Sequence, residues 1–156
     1  MNSPGEFLLA SSLLAMFGAQ VLKVAIHRLR HRRWKWTVFL RSGGMPSSHS
    51  ALMSALTVSL WLVYGWKSAW FAVAFVSSMV VMYDAVGVRR QAGEQAMILE
   101  DLIQQVQSAG VPVSDTVPTT LRHWKRQGHT PKEVAAGTLF GGVTAVLVFW
   151  VNSSLT

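Results

Sequence analysis

The chain of 156 residues contains no cysteine and few charged side chains. The lack of cysteine excludes a disulfide framework, a thiol nucleophile and a cysteine-ligated metal site. Charged residues make up 13% of the sequence and hydrophobic residues 51%, whereas ordinary soluble domains are roughly 25% charged. This hydrophobic share excludes a disordered chain. It also argues against a soluble globule, because a core of this size cannot cover so much apolar surface.

Acidic residues are scarce as well. Seven Asp and Glu stand against 14 Lys and Arg, which leaves a formal net charge of +7. Such an excess indicates anionic partners, either nucleic acid or lipid headgroups. The basic residues flank the apolar runs, so we expect anionic membrane lipids as partners and no nucleic acid. The few carboxylates are too dispersed for a divalent-metal cage, and we expect neither a metal nor a cofactor.

Four apolar runs predict an all-α fold, an integral membrane bundle of about four transmembrane helices. The predicted spans are residues 7–26, 47–65, 69–86 and 132–151, within a single membrane domain that covers residues 1–156. The second run is short, but its helix can begin near Pro46, since proline is favoured at the first helical position. Three glycines in the fourth run suit close helix packing in lipid; they are Gly137, Gly141 and Gly142.

Basic residues are concentrated on two of the segments between these runs. Residues 27–41 and 87–133 carry six Lys and Arg each, whereas the turn between the second and third runs carries only Lys67. The positive-inside rule therefore places segments 27–46 and 87–131 in the cytoplasm and both termini on the opposite side of a bacterial inner membrane or a plastid membrane. Apolar residues recur at helical spacing from 90 to 107, which predicts a cytoplasmic amphipathic helix.

The most informative segment runs from residue 41 to residue 50. Two glycines let the backbone bend close to a ligand, and the following Pro-Ser-Ser sequence is typical of a helix start, where free N–H groups and the helix dipole favour an anion. The candidate phosphate-binding residues are Arg41, Gly43, Gly44, Ser47 and Ser48, and His49 lies one turn into the helix. The alternative is a glycine turn with a serine cap and an interfacial histidine.

A second segment, residues 128–133, precedes the fourth span. Thr130 and Glu133 have the spacing of a capping box, with Pro131 at the first helical position, so local capping can account for all three. It does not account for His129. A carboxylate four residues from a histidine can hold one imidazole nitrogen and leave the other free to attack. Both interpretations remain open from the residues alone.

The third segment ends the third span. Asp84 in that position is costly unless it is paired, and Arg89 and Arg90 are natural partners. Arginine also grips phosphate with two parallel donors, but an ordinary Asp–Arg bridge fits these residues equally well. The predicted topology places all three segments at the cytoplasmic ends of the second, third and fourth spans.

At residues 43–51, 83–90 and 128–133 the chain resembles the divergent type 2 phosphatidic acid phosphatase family, a branch related to lipid phosphatases and vanadium haloperoxidases. The resemblance extends from about Gln20 to Phe149. The superfamily's Pro-Ser-Gly-His motif is similar to residues 46–49, with Ser48 in place of glycine. Its His-x-x-x-Asp motif is similar to residues 129–133, with Glu133 in place of aspartate.

The resemblance implies a metal-independent phosphatase that works by double displacement. By this similarity His129 is the nucleophile that forms a phosphohistidine, Glu133 orients it, and His49 protonates the leaving alkoxide. Backbone amides near Ser47 and Ser48 hold the phosphoryl oxygens.

The superfamily's phosphate-binding cations are out of register in this chain. Its Lys-x6-Arg-Pro motif has no counterpart, because five residues separate Lys35 from Arg41 and no proline follows. The arginine expected six residues before the nucleophile is His123. From their position alone, Arg41, Arg89 and Arg90 are the candidates to replace these cations, with Asp84 beside them.

The predicted function is a membrane-embedded phosphatase. Its substrate is a lipid phosphomonoester or a polyprenyl phosphate or diphosphate. The alternative is a non-catalytic membrane protein that binds anionic lipid, or organises a complex, through the same basic face.

Overall fold

The computed structural model describes residues 3–32, 43–113 and 128–154. These residues form five helices and no strand, which confirms the all-α prediction for this part of the chain. The helices are α1 (Pro4–His31), α2 (Ser48–Tyr64), α3 (Ala69–Val86), α4 (Val88–Ser108) and α5 (Pro131–Ser154).

Serine caps determine where the first three helices begin. Ser3 and Glu6 form a capping box at the start of α1. Ser47 accepts a hydrogen bond from the N–H of Ser50 at the start of α2, and Ser68 accepts one from Phe71 at the start of α3. Each cap satisfies a backbone donor that has no partner within its helix.

Helix α2 lies at the centre of the bundle, in contact with α1, α3 and α5. The residues at these contacts are small, which lets the helix backbones approach closely, as is typical of helices packed in lipid. The buried cluster at the centre consists of Ala15, Ala19, Ala51, Ala55 and Ala145.

Large apolar side chains point away from the bundle. Leu139 is 71% exposed, Trp70 67% and Val73 63%, the reverse of a soluble fold and the arrangement expected where lipid covers the surface. Three helical segments are long and apolar enough to cross a membrane: α1 as far as Leu29, the run of α3 and α4, and α5. These findings confirm a helical membrane bundle.

The second predicted span corresponds to α2, which has 17 residues. At 1.5 Å per residue it is about 26 Å long, at the short end of what a bilayer requires. The surrounding helices cover its polar side chains, since Ser54, Thr57 and Ser59 are all buried. The predicted orientation of the bundle across the membrane stays a prediction.

Hydroxyl groups connect α2 to each of its neighbours. Ser59 Oγ lies 2.7 Å from Ser11 Oγ on α1, and Thr57 Oγ1 lies 2.7 Å from Ser78 Oγ on α3. A third hydroxyl, on Ser54, donates to a carbonyl oxygen of α5 at 2.7 Å. Because hydrogen bonds between helices in lipid contribute about 0.6–2 kcal/mol each, these three hold α2, and with it the segment at its N-terminus, against the whole bundle.

Helices α2 and α5 meet backbone to backbone at two glycines. A Cβ atom at Gly137 would overlap the carbonyl oxygen of Ser47, and one at Gly141 would overlap that of Ala51. The glycines therefore set the distance between α5 and the start of α2.

We expect Gly141→Ala to lower the melting temperature of the detergent-solubilised protein, because its methyl group would push α5 away from Ala51. Overpacking of this kind costs about 1–3 kcal/mol. The adjacent Gly142→Ala is the matched control, since a Cβ there would lie 3.6 Å from Ser54 Oγ, an ordinary contact. Equal melting temperatures for the two variants would show that the close approach at Gly141 does not limit packing.

Candidate active site

Backbone hydrogen bonds bring the three sequence motifs together at one end of the bundle. The N–H of Ser47 donates to the carbonyl oxygen of Glu133 at 3.0 Å, and the N–H of His129 donates to that of Ala85 at 2.9 Å. Gly128, at φ +88°, lies directly against the backbone of Arg90, where a Cβ would come within 2.5 Å. The start of α2, the junction of α3 and α4, and the start of α5 thus form one cluster.

The N-terminus of α2 presents backbone donors to this cluster. Ser47 Oγ accepts hydrogen bonds from the N–H and the hydroxyl of Ser50. The N–H groups of Ser48 and His49, in the first turn, have no acceptor within the helix. Together with the helix dipole they make a site suited to an anion.

Lys23 is a member of the site that the sequence reasoning missed. It lies within the predicted span 7–26 and is only 3% exposed. Its aliphatic chain lies against Gly44, where an ideal Cβ would be 3.6 Å from Lys23 Cδ. Gly44 has φ +92°, in the left-handed region that favours glycine. The available signal was an ionisable residue inside an apolar run, which is a functional candidate by default.

His129 is buried, with 6% exposure, and its Nε2 atom has no hydrogen-bond partner among the described residues. Buried polar atoms nearly always have one, so an imidazole nitrogen without one is a candidate contact for a bound ligand. Burial lowers the pKa of His129 below its ordinary value; Glu133 opposes this shift, and the positive charges of Lys23, His49 and Arg89 reinforce it. The ring is therefore neutral, the nucleophilic form, near pH 7.

Glu133 makes the capping box that its spacing predicts. Its Oε2 accepts a hydrogen bond from the N–H of Thr130 at 3.0 Å, and Thr130 Oγ1 accepts one from the N–H of Glu133 at 3.4 Å. No hydrogen bond joins the side chains of Glu133 and His129 among the described contacts, although Glu133 is close enough to act on the pKa of His129. Its role in orienting His129 stays a prediction.

The two arginines after α3 have different partners. Arg89 Nε lies 2.5 Å from Asp84 Oδ2, and Arg90 Nε lies 2.9 Å from Glu94 Oε1 within α4. Arg89 is close enough to His129 to lower its pKa, so the fold brings Arg89 into the cluster and directs Arg90 toward Glu94. Arg41 lies outside the described residues.

This cluster offers what a phosphoryl group requires: helix N–H donors, a buried ammonium, a guanidinium and two imidazoles. Over residues 3–32, 43–113 and 128–154, no group of three or more His, Asp and Glu is arranged to hold a metal ion. The site therefore has the parts for anion binding and for nucleophilic attack by an imidazole.

A family profile described as the Divergent PAP2 family matches residues 5–144, a range that includes every motif of the site. The chain belongs to the Divergent PAP2 family. This family member is 37% identical over 148 residues to the uncharacterized membrane protein YuiD of Bacillus subtilis (strain 168), and the match covers 92% of this chain and 91% of YuiD. No solved structure matches this chain. The resemblance drawn from the motifs is confirmed, and the similarity to YuiD supports a membrane protein.

For this Divergent PAP2 protein we expect Glu133→Gln to move the titration of His129 to lower pH. The Glu133 carboxylate raises the pKa of His129, and its removal leaves only influences that lower it, so the titration moves further below 6.5. Glutamine can still complete a capping box. Nuclear magnetic resonance of ¹⁵N-labelled histidine in micelles measures the shift.

Arg89→Gln provides the opposite arm of this experiment. It removes a positive charge that lowers the pKa of His129, so the titration should move to higher pH. Shifts of the same sign in the two variants would contradict the electrostatic arrangement described above.

Proposed function

We propose that this protein is a membrane-embedded phosphatase that hydrolyses a lipid phosphomonoester, or a polyprenyl phosphate or diphosphate, through a phosphohistidine intermediate on His129. The observation that carries the proposal is the Nε2 atom of buried His129, which has no hydrogen-bond partner within the described part of the chain and lies close to the cations Lys23 and Arg89. Membership of the Divergent PAP2 family supports this class of reaction.

In the first proposed step, His129 Nε2 attacks the phosphorus atom and the bond from phosphorus to the lipid oxygen breaks. The leaving alkoxide takes a proton from His49. Lys23, Arg89 and the N–H groups at the start of α2 balance the negative charge on the equatorial oxygens, which is the main requirement of phosphoryl transfer.

In the second step, water attacks the phosphorus of the phosphohistidine and gives a proton to His49. The bond from phosphorus to Nε2 breaks, inorganic phosphate leaves, and both histidines return to their starting states. In this proposal the histidines supply the nucleophile and the acid, so neither step draws on a metal ion or a cofactor.

The proposed substrate is amphiphilic, because the site lies at the end of helices whose outer faces are apolar. Basic residues near a membrane surface attract anionic lipid by about 1 kcal/mol each. With the positive-inside rule, we propose that the site faces the cytoplasm of a bacterial inner membrane, or the equivalent side of a plastid membrane, with both termini opposite.

One observation favours a second candidate, a non-catalytic protein that binds anionic lipid or organises a complex at the same face. The Glu133 carboxylate is engaged by the N–H of Thr130, whereas catalysis by His129 asks for a carboxylate that orients its ring. A phosphate site without that support binds lipid phosphate but turns it over poorly.

A phosphate-release screen in detergent micelles separates the two candidates. The substrates are phosphatidic acid, phosphatidylglycerophosphate, a polyprenyl phosphate and a polyprenyl diphosphate, each with and without EDTA. We expect release from at least one of them, unchanged by EDTA and lost in His49→Ala and His129→Ala. Binding of all four without release would favour the second candidate, and loss of activity in EDTA would overturn the metal-free mechanism.

A further inference from the structure

An apolar groove begins at the loop that carries the candidate phosphate site. It has a volume of about 360 Å³ and lies between α1 and α5. Every described residue that lines it is apolar, and the lining includes Leu22, Ile26, Met45, Pro46, Ala136 and Phe140.

The groove and the phosphate site share the same pieces of backbone. Met45 and Pro46 line the groove, and the next residue, Ser47, caps the helix end of the site. On α1, Leu22 lines the groove, while its neighbour Lys23 lies against Gly44. The loop before α2 therefore has the start of α2 on one side and the groove on the other, so one bound molecule can contact both.

The two regions have complementary chemistry for one amphiphile. Lys23 and Arg89 place positive charge near His129, and the described lining of the groove beside them offers hydrocarbon contacts. From Ala136 to Val143 the groove follows α5 for about 11 Å, long enough to order part of an alkyl chain. A free phosphate ion would use the charged region and leave the groove unexplained.

We infer that this groove binds one hydrocarbon chain of the lipid whose phosphate occupies the start of α2. The inference rests on the proposed function, and it names the groove as the element that selects long-chain substrates over water-soluble phosphomonoesters.

A second groove on α5 serves as a control. It is also apolar, with a volume of about 480 Å³, and it lies between α2 and α5. Its lining includes Val58 and Trp61 from the second half of α2, and Val146 on α5. It adjoins the first groove at Leu139 and Val143, but Met45 and Pro46 of the loop before α2 line only the first groove.

Filling the first groove with Ala136→Phe tests the inference by turnover. We expect the KM for dioleoyl phosphatidic acid to rise about tenfold, the effect of roughly two displaced methylenes. Turnover of glycerol 3-phosphate, which has no chain, should stay within about twofold, a change too small to reflect lost chain contacts. Val146→Phe in the second groove should leave both unchanged. The smaller substitution Ala136→Leu should raise this KM by an intermediate amount. It keeps the test decisive if the Ala136→Phe variant does not fold.

An unchanged KM for dioleoyl phosphatidic acid in Ala136→Phe would overturn the inference. An equal loss with both substrates in both Ala136 variants would also overturn it, since the groove would then be structural.

A photoactivatable phosphatidic acid with a diazirine in mid-chain gives a readout that does not need turnover. We expect it to label Leu22, Ile26 and Ala136, which line the first groove and not the second. Labelling of Leu22 and Ile26 should fall in Ala136→Phe and be undiminished in Val146→Phe. The matching diazirine diacylglycerol, which lacks the phosphate, should label them more weakly. Equal labelling by the two probes would overturn the inference, because the groove would then hold bulk membrane lipid. Selective labelling without phosphate release would support the groove and contradict the phosphatase.

Discussion

His129→Ala should lower phosphate release by about two orders of magnitude or more, because it removes both the attacking nitrogen and the intermediate. The buried Nε2 atom, with no partner among the described residues, is the protein atom that forms a bond to phosphorus in the proposal. Release of ³²P from a labelled lipid phosphate measures the loss. Acid-labile, alkali-stable radioactivity on the wild-type protein would identify the phosphohistidine.

The two histidines can be distinguished by the leaving group. An alkoxide needs a proton to leave, whereas a nitrophenolate does not, so His49→Ala should lose most of its activity with a lipid phosphate and much less with nitrophenyl phosphate. His129→Ala should lose activity with both substrates to the same degree. Wild-type turnover in His129→Ala would end the nucleophile proposal. Equal behaviour of the two variants with both substrates would remove the separate acid role of His49.

Lys23→Met should lower kcat/KM for a lipid phosphate by about 100-fold, because it takes away a buried positive charge that can meet the phosphoryl oxygens. Methionine keeps the length and helix propensity of lysine. Activity should therefore fall while circular dichroism in detergent still shows a folded helical protein. A purely structural lysine would instead give a loss of folding large enough to account for the loss of activity.

Lys67→Met is the matched control for this experiment. Lys67 lies in the turn between α2 and α3, at the other end of the bundle, with Nζ 5.5 Å from the centre of the Trp66 ring. Its removal should leave kcat/KM within about twofold, since an exposed charge far from the site contributes little. Equal losses in the two variants would mean that Lys23 acts through the general positive field of the protein and not at the phosphate.

The helices agree with predictions made from hydropathy and helix-start signals. Residues 69–86 were predicted as a span and are the bounds of α3, and α2 begins one residue after the predicted position 47. The starts of these two helices follow from Ser47 and Ser68, whose side-chain oxygens accept hydrogen bonds from the N–H groups three residues further along the chain. Helix α1 is longer than its predicted span of 7–26, because a span is counted over apolar residues while the helix continues into polar ends.

The meeting of the three motifs was also predictable in outline. Once the apolar runs are taken as antiparallel helices, segments 41–50, 83–90 and 128–133 must lie at the same end. The choice of partners was not predictable. Asp84 could have paired with Arg89 or Arg90, and Glu133 could have met His129 or capped its own helix; the fold pairs Asp84 with Arg89 and Glu133 with Thr130.

Hydropathy, caps and glycine spacing were enough to specify the membrane class, the helices and the end of the bundle where the three motifs meet, because each acts over one or two turns of chain. The rotation of each helix about its axis is decided by contacts between residues far apart in sequence, such as Gly141 against Ala51. That rotation buries Lys23 beside Gly44 and leaves Nε2 of His129 without a partner among the described residues. The tertiary structure thus selected which charges face the candidate phosphate site, since only packing determines which side of a helix points inward.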